Sequence, residues 1–72
     1  MADDKALLGQ IAVRLRKARL AAHLTQVEVA NKAGINENHY AQIERGEKNP
    51  TVTTFLNIIN AIGVSSTEIL DK

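Results

Sequence analysis

Apolar residues recur at helical spacing along the whole chain, and capping residues and glycines divide the pattern into segments. The first segment predicts a long helix that ends near Ala22. Its buried face carries residues three or four positions apart: Leu8, Ile11, Leu15, Ala18 and Ala22. Asp3 or Asp4 can cap its start. Val13 and Leu20 lie on another side and are either ordinary exposed apolar residues or part of a partner contact.

A capping box marks the start of a second, shorter helix. The Thr25 hydroxyl can accept from the Glu28 amide, and the Glu28 carboxylate can reach back to the Thr25 amide, so the helix begins at Gln26. Gly34 ends it, because a left-handed residue is needed there. Its inward stripe carries Val29, Ala30 and Ala33. Ala30 is small where this helix would cross the next one, so a larger residue there is expected to splay them.

A third helix follows after a turn of about two residues. Asn36 is a strong N-cap, and the pattern predicts a helix from Glu37 to about Arg45 that stops at Gly46. An advance of about 100° per residue places Tyr40 and Ile43 inward with Glu44 at their edge. The outward positions carry Asn38, Ala41, Gln42 and Arg45.

Two more helices complete the predicted architecture. Thr51, after Pro50, can cap a fourth helix that Gly63 ends, with core residues at Val52, Phe55, Leu56, Ile59 and Ile62. Ser65 and Glu68 form another capping box, which starts a short fifth helix carrying Ile69 and Leu70. Because all periodic segments are helical, we expect an all-α, five-helix fold forming a single domain over residues 1–72.

The inward edge of the third helix carries a carboxylate that needs a cation. Glu44 follows Tyr40 by one turn, and an unpaired charge there would be costly. Arg19 falls four residues after Leu15 on the buried stripe of the first helix. We therefore predict an Arg19–Glu44 ion pair that fixes the angle between the two helices more than it adds net stability.

The outward side chains of the third helix are amides and a guanidinium. Asn and Gln can bond adenine bidentately, and Arg can bond guanine or a phosphate oxygen. The alternative is that Asn38 and Gln42 only solvate a surface helix. The surrounding two-helix pattern favours a helix that enters the major groove of double-stranded DNA.

The amino-acid composition excludes several other classes of function. The 72 residues include no cysteine, so no disulfide or thiolate metal site is available, and His23 and His39 lack neighbours of ligand type. No nucleophile with a base, paired carboxylates or phosphate-cradling glycine loop appears, so we expect neither an enzyme nor a cofactor, metal or small-molecule ligand. The absence of a long apolar run and the acidic N-terminus predict a soluble, cytoplasmic chain without a membrane partner.

Charge is weaker evidence on whether the partner is a nucleic acid. The formal net charge is only +1, which is low for a nucleic-acid-binding domain. Its distribution is uneven, because the first helix carries Arg14, Arg16, Lys17 and Arg19. This cluster is either a surface that steers the chain toward phosphates or a solvated helix face.

Several motifs together resemble the lambda-repressor and Cro-like family, also called xenobiotic-response-element (XRE) type. They are LTQ at 24–26, Ala30, AGI at 33–35, IERGEKNPT at 43–51 and IGVS at 62–65. The resemblance covers nearly the whole chain. It implies a five-helix domain whose second and third helices form the helix-turn-helix, and it implies binding to operators as a dimer.

The resemblance also implies roles for individual residues. Glu37, Asn38 and Gln42 would face bases, and the backbone phosphates would be contacted by Gln26, Arg45, Lys48 and Asn49. Two positions depart from the family pattern. Tyr40 stands where Val or Ile is usual, so its hydroxyl needs a partner or solvent. The acid Glu37 either accepts from cytosine N4 or is neutral surface.

We therefore predict a sequence-specific transcriptional regulator that acts as a homodimer on a palindromic operator. The dimer contact is expected at Val64, Ile69 and Leu70, unless these residues close the core of the single chain. The sequence ends after the fifth predicted helix, so no ligand-binding domain is expected. Minimal family members include restriction-modification controllers, antitoxins and phage repressors. The competing hypothesis is a protein-binding adaptor with the same fold. The low net charge and Glu37 favour it slightly, and four residues oppose it: Gln26, Asn38, Gln42 and Arg45.

Overall fold

The computed structural model describes residues 4–70, and those residues form five helices and no strand. They are α1 (Asp4–Ala21), α2 (Gln26–Ala33), α3 (Glu37–Glu44), α4 (Val52–Ile62) and α5 (Ser66–Leu70). The all-α, five-helix prediction is confirmed. The expected cap at Asp3 or Asp4 falls on side chains outside the described set.

Local capping sets most helix ends where the sequence predicts them. At the start of α2, the Glu28 amide donates to Thr25 Oγ1 over 3.1 Å, and the Thr25 amide donates to Glu28 Oε1 over 2.8 Å. Gly34 ends α2 with φ of 74°, a left-handed conformation that favours glycine. The Asn36 side chain accepts from the amide of Asn38 over 2.7 Å at the start of α3.

The last two helices are capped in the same way. Thr51 Oγ1 accepts from the Thr54 amide over 3.1 Å at the start of α4. The Ser65 amide donates to Glu68 Oε1 over 3.1 Å, and Ser65 Oγ accepts from the Glu68 amide over 3.3 Å, which completes the predicted box.

Helix α2 lies at the centre of the fold, where it packs against α4 and α3, while α1 crosses α3, α4 and α5. The side chains that are less than 2% exposed come from four different helices, and the largest of them are Tyr40, Leu15, Ile43, Ile58 and Val29. This apolar core therefore fixes α3 to the scaffold from behind and leaves its other side at the surface.

The prediction of which α4 residues face the core is partly wrong. Val52 is 76% exposed and Leu56 is 44% exposed, whereas Ile58 is fully buried. Apolar residues surround most of this helix, and its buried stripe is rotated by roughly 50° from the predicted one, as judged at 100° per residue. The rotation leaves Val52 and Leu56 at the surface.

Two smaller predictions of burial are also wrong. Ala22 is exposed because it follows the end of α1, and Ala12 is buried instead. Ala41 is 8% exposed rather than outward-facing, because it borders the inward side of α3. The sequence left two roles open for Ile69, dimer contact or core of the single chain, and its 2% exposure within the core favours the second. Val64 is half-buried against the same core.

Gly46 shows why the chain needs glycine after α3. Its φ is 76°, and a Cβ placed there would lie 3.7 Å from Gly9 Cα and 3.8 Å from the Ala12 Cβ. The loop therefore turns sharply while it lies against α1. This approach ties the C-terminal end of α3 to the first helix.

Candidate nucleic-acid interface

A tight turn joins α2 to α3. The Ile35 amide donates to the Ala30 carbonyl over 3.0 Å, and the Gly34 amide donates to the Asn31 carbonyl over 3.2 Å. Ala30 is fully buried, which allows the two helix backbones to approach closely. The two helices thus form one unit with a fixed mutual angle.

The outward side of α3 carries the three predicted base-contacting residues. Glu37 and Asn38 are exposed, and Gln42 is half-exposed. Within residues 4–70 the side-chain amides of Asn38 and Gln42 make no hydrogen bond to another side chain. Both amides therefore have donors and acceptors available for an external partner.

A forked ion pair lies behind this surface. Arg19 donates through Nε to Glu44 Oε2 over 2.8 Å and through Nη2 to Glu44 Oε1 over 2.9 Å. The two side chains are only 10% and 3% exposed. Arg19 Nη1 also donates to the Leu24 carbonyl over 2.9 Å, and Gln26 Nε2 donates to Glu44 Oε1 over 3.2 Å. One charged pair therefore joins α1, α3 and the start of α2.

The electrostatics of this pair favour the charged forms. Burial alone would raise the pKa of Glu44, but the hydrogen bonds from Arg19 and Gln26, together with the nearby Tyr40 hydroxyl, outweigh it, so the pKa lies below its ordinary value. The Tyr40 hydroxyl is buried and makes no hydrogen bond of ordinary geometry to a described protein group. Burial, together with the adjacent Glu44 carboxylate, raises the pKa of Tyr40, so the phenol stays protonated.

The predicted phosphate-contacting residues fall into two places. Gln26 is half-buried and lies beside Glu37 in one cleft and beside Arg45 in another. Asn49 instead lies at an apolar groove together with Pro50 and Val52. Lys48 is exposed in the same loop. The structure therefore groups Gln26 with α3 and separates it from Asn49.

Two interactions of basic residues are absent from the sequence prediction. Arg45 Nε and Nη2 donate to the two Glu47 carboxylate oxygens over 3.0 and 3.1 Å at the surface. Arg14 Nη1 donates to the Ile69 carbonyl over 2.9 Å, so it connects α1 to α5. The short Arg45-Gly46-Glu47 spacing was the available signal for the first interaction. The local sequence gives no signal for the bond between Arg14 and the Ile69 carbonyl, because the two residues lie far apart along the chain.

An apolar groove of about 280 Å³ lies between α4, α5 and α1. Its lining includes Ile11, Val52, Phe55, Leu56 and Leu70. Leu70, the predicted dimer residue at this place, is 51% exposed. Val52 and Leu56, which the sequence prediction assigned to the core, extend the same apolar surface.

No helix within residues 4–70 combines the length and hydropathy that crossing a bilayer requires.

The helix-turn-helix family model matches residues 15–69. An uncharacterised HTH-type transcriptional regulator, y4dJ, of Sinorhizobium fredii is 37% identical over 68 residues, which are 94% of this chain and 84% of that protein. The chain spans less than half the length of three further curated relatives that it matches.

Solved structures agree with this match. The restriction-modification controller protein C.AhdI of Aeromonas hydrophila is similar with a TM-score of 0.85 and 28% identity, covering 89% of this chain and 97% of that one. The controller C.Esp1396I, solved as a tetramer on its natural 35 base-pair operator, has a TM-score of 0.82 and 26% identity, covering 90% and 86%. The chain belongs to the XRE-type helix-turn-helix family, whose members are DNA-binding transcriptional regulators rather than enzymes.

Proposed function

We propose that this chain binds a palindromic operator in double-stranded DNA, sequence-specifically and as a homodimer, with α3 in the major groove. The observation that carries the proposal is the pair of amides at the surface, exposed Asn38 and half-exposed Gln42, on a helix held from behind by the Arg19–Glu44 pair. Asn and Gln can read adenine through two bonds, and Glu37 can accept from cytosine N4. Binding to chromosomal DNA would place the chain in the cytoplasm.

The phosphate backbone would be contacted at the start of α2 and after the end of α3. Gln26 lies at the N-terminus of α2, where the helix dipole also favours an anion. Arg45 and Lys48 are exposed after the last turn of α3, and Asn49 follows them. The neighbour C.Esp1396I was solved on its operator, which supports DNA binding by a chain of this fold.

A gel-shift titration against the region upstream of the chain's own gene tests sequence specificity. We expect a complex that weakens with salt and that an excess of scrambled duplex displaces poorly. The Gln42→Ala variant should lose discrimination at particular base pairs by about 1–3 kcal/mol. Asn60→Ala, a matched amide removal at an exposed position of α4, should bind as the unmodified chain does. Equal affinity for all duplexes would contradict the proposal.

The dimer would form through the apolar groove rather than through Ile69. Leu70 remains from the predicted set, Val64 can contribute its exposed part, and Val52 and Leu56 add exposed apolar area. Dimers of this motif bind half-sites about one DNA turn apart, so a twofold contact at this face must present the two α3 helices at that spacing.

Sedimentation at micromolar concentration tests the dimer. We expect a dimer for the unmodified chain and a monomer for Leu56→Lys, which changes an exposed residue and so should fold. Leu20→Lys adds the same charge on α1 and should leave the dimer intact. An unmodified chain that stays monomeric at micromolar concentration, or a Leu56→Lys variant that still dimerises, would contradict a dimer contact at this groove.

The second candidate is a protein-binding adaptor, which the net charge of +1 and the exposed acid Glu37 favour. It predicts capture of a protein partner without duplex binding. Flanking genes then separate regulatory roles: a methyltransferase with an endonuclease indicates a restriction-modification controller, and a toxin indicates an antitoxin.

A further inference from the structure

A polar cleft of about 700 Å³ lies between α1, the start of α2 and the end of α3, beside the outward face of α3. The buried Arg19–Glu44 pair lies among its lining residues. The other lining residues are Arg16, Gln26, Arg45 and Glu47. Since the Arg19 and Glu44 charges neutralise each other, the net charge of the cleft is set by Arg16, Arg45 and Glu47.

The guanidinium of Arg45 is already engaged in this cleft. Its Nε and Nη2 hydrogens point to the two oxygens of Glu47, which is the forked geometry that Arg also uses to bind phosphate. The two side chains are 53% and 55% exposed. Exposed ion pairs contribute little to stability, so an incoming anion can replace the carboxylate.

Arg16 makes the cleft more than an isolated ion pair. It is exposed on α1 and faces the same cleft as Arg45, although the two belong to different helices. With both guanidinium groups present, a phosphate monoanion entering the cleft would leave it electrically balanced with Glu47 still charged. Without Arg16, the phosphate and the Glu47 carboxylate would share one cation.

We propose that this cleft binds one backbone phosphate of DNA through Arg16 and Arg45, and that Glu47 competes with the phosphate for Arg45. The proposal rests on the proposed function and adds two residues to it. Arg16 strengthens binding to any duplex, and Glu47 weakens it. Because a contact to a phosphate carries no information about base sequence, both effects are equal for operator and non-operator DNA.

The test measures the affinity of the full chain for its operator and for a scrambled duplex between about 50 and 200 mM salt. Arg16→Gln should lower both affinities roughly 3- to 10-fold and reduce the slope of log affinity against log salt by about one. Glu47→Gln should raise both affinities about two- to fivefold at low salt.

Two controls separate the cleft from the overall charge of the protein. Lys17→Gln removes a cation from an exposed position of α1 that does not line the cleft. Glu68→Gln removes an acid on α5, and glutamine also completes a capping box. Each control should change affinity less than about twofold, as expected for screened distant charges. Circular dichroism of every variant checks folding.

Each outcome decides a different claim. If Arg16→Gln matches Lys17→Gln, or if Glu47→Gln binds no more tightly than the unmodified chain, the phosphate site is overturned while operator binding stands. Changes confined to the operator duplex also overturn it, because they indicate an effect on base reading. An unmodified chain that binds no duplex overturns both proposals.

Discussion

Breaking the Arg19–Glu44 pair should destabilise the whole fold, although the two charges lie in only two of its helices. Glu44→Gln keeps the side-chain shape and removes the charge, leaving a guanidinium that is 10% exposed without its carboxylate. Removing one partner of a buried pair costs about 3–5 kcal/mol. Arg19 keeps its bond to the Leu24 carbonyl, so we expect the lower end of that range.

That loss is large for a domain of this size. With 72 residues, the free energy of unfolding is expected near 4–11 kcal/mol, at about 0.05–0.15 kcal/mol per residue. A loss of about 3 kcal/mol lowers the melting temperature by roughly 12–24 °C, at about 4–8 °C per kcal/mol. Urea unfolding followed by circular dichroism at low temperature measures it directly.

A double-mutant cycle separates the pair from its parts. Arg19→Met, Glu44→Gln and the double variant should give a coupling free energy of about 2 kcal/mol or more, with the double variant more stable than the sum of the single losses predicts. Glu47→Gln, which breaks an exposed ion pair, should leave the unfolding midpoint unchanged within error. A coupling below about 0.5 kcal/mol would refute the reasoning.

Three further predictions concern pH and backbone packing. Because the folded-state pKa of Glu44 is lowered, its stabilisation is complete above the ordinary value of 4.5 and is lost as the pH falls through the folded value. The urea midpoint should therefore drop more below about pH 4.5 in the unmodified chain than in Glu44→Gln. Ala30→Leu should cost about 1–3 kcal/mol in urea unfolding, since this residue is fully buried, whereas Lys32→Leu at an exposed position should cost little. Gly34→Ala should destabilise by about 1 kcal/mol because φ is 74°, while Gly9→Ala within α1 should stabilise by a similar amount. Equal signs for the two glycine variants would contradict the backbone explanation.

The helix ends were predictable because their causes are local. The boxes at Thr25 and Ser65 and the cap at Thr51 each depend on residues within three positions, and the structure contains all three. Local chemistry of this kind does not need the rest of the fold.

The faces of the helices were less predictable because tertiary packing selects them. Apolar residues surround most of α4, so only its position against α2 decides that Ile58 is buried and Leu56 is exposed. The same limit applies to Ile69, which either core or dimer contacts could have covered. For the candidate site, the outward amides followed from helix periodicity, but the cleft with Arg16 joins residues far apart in sequence.

Tyr40 gives the chain a built-in optical reporter. It is the single tyrosine, and the sequence contains no tryptophan, so ultraviolet emission excited in the aromatic band arises mainly from one known place. That place is the buried side of α3, next to a carboxylate that can quench the ring. Changes in its intensity or lifetime would therefore track undocking of α3 without any attached label, and independently of the circular dichroism of the other helices.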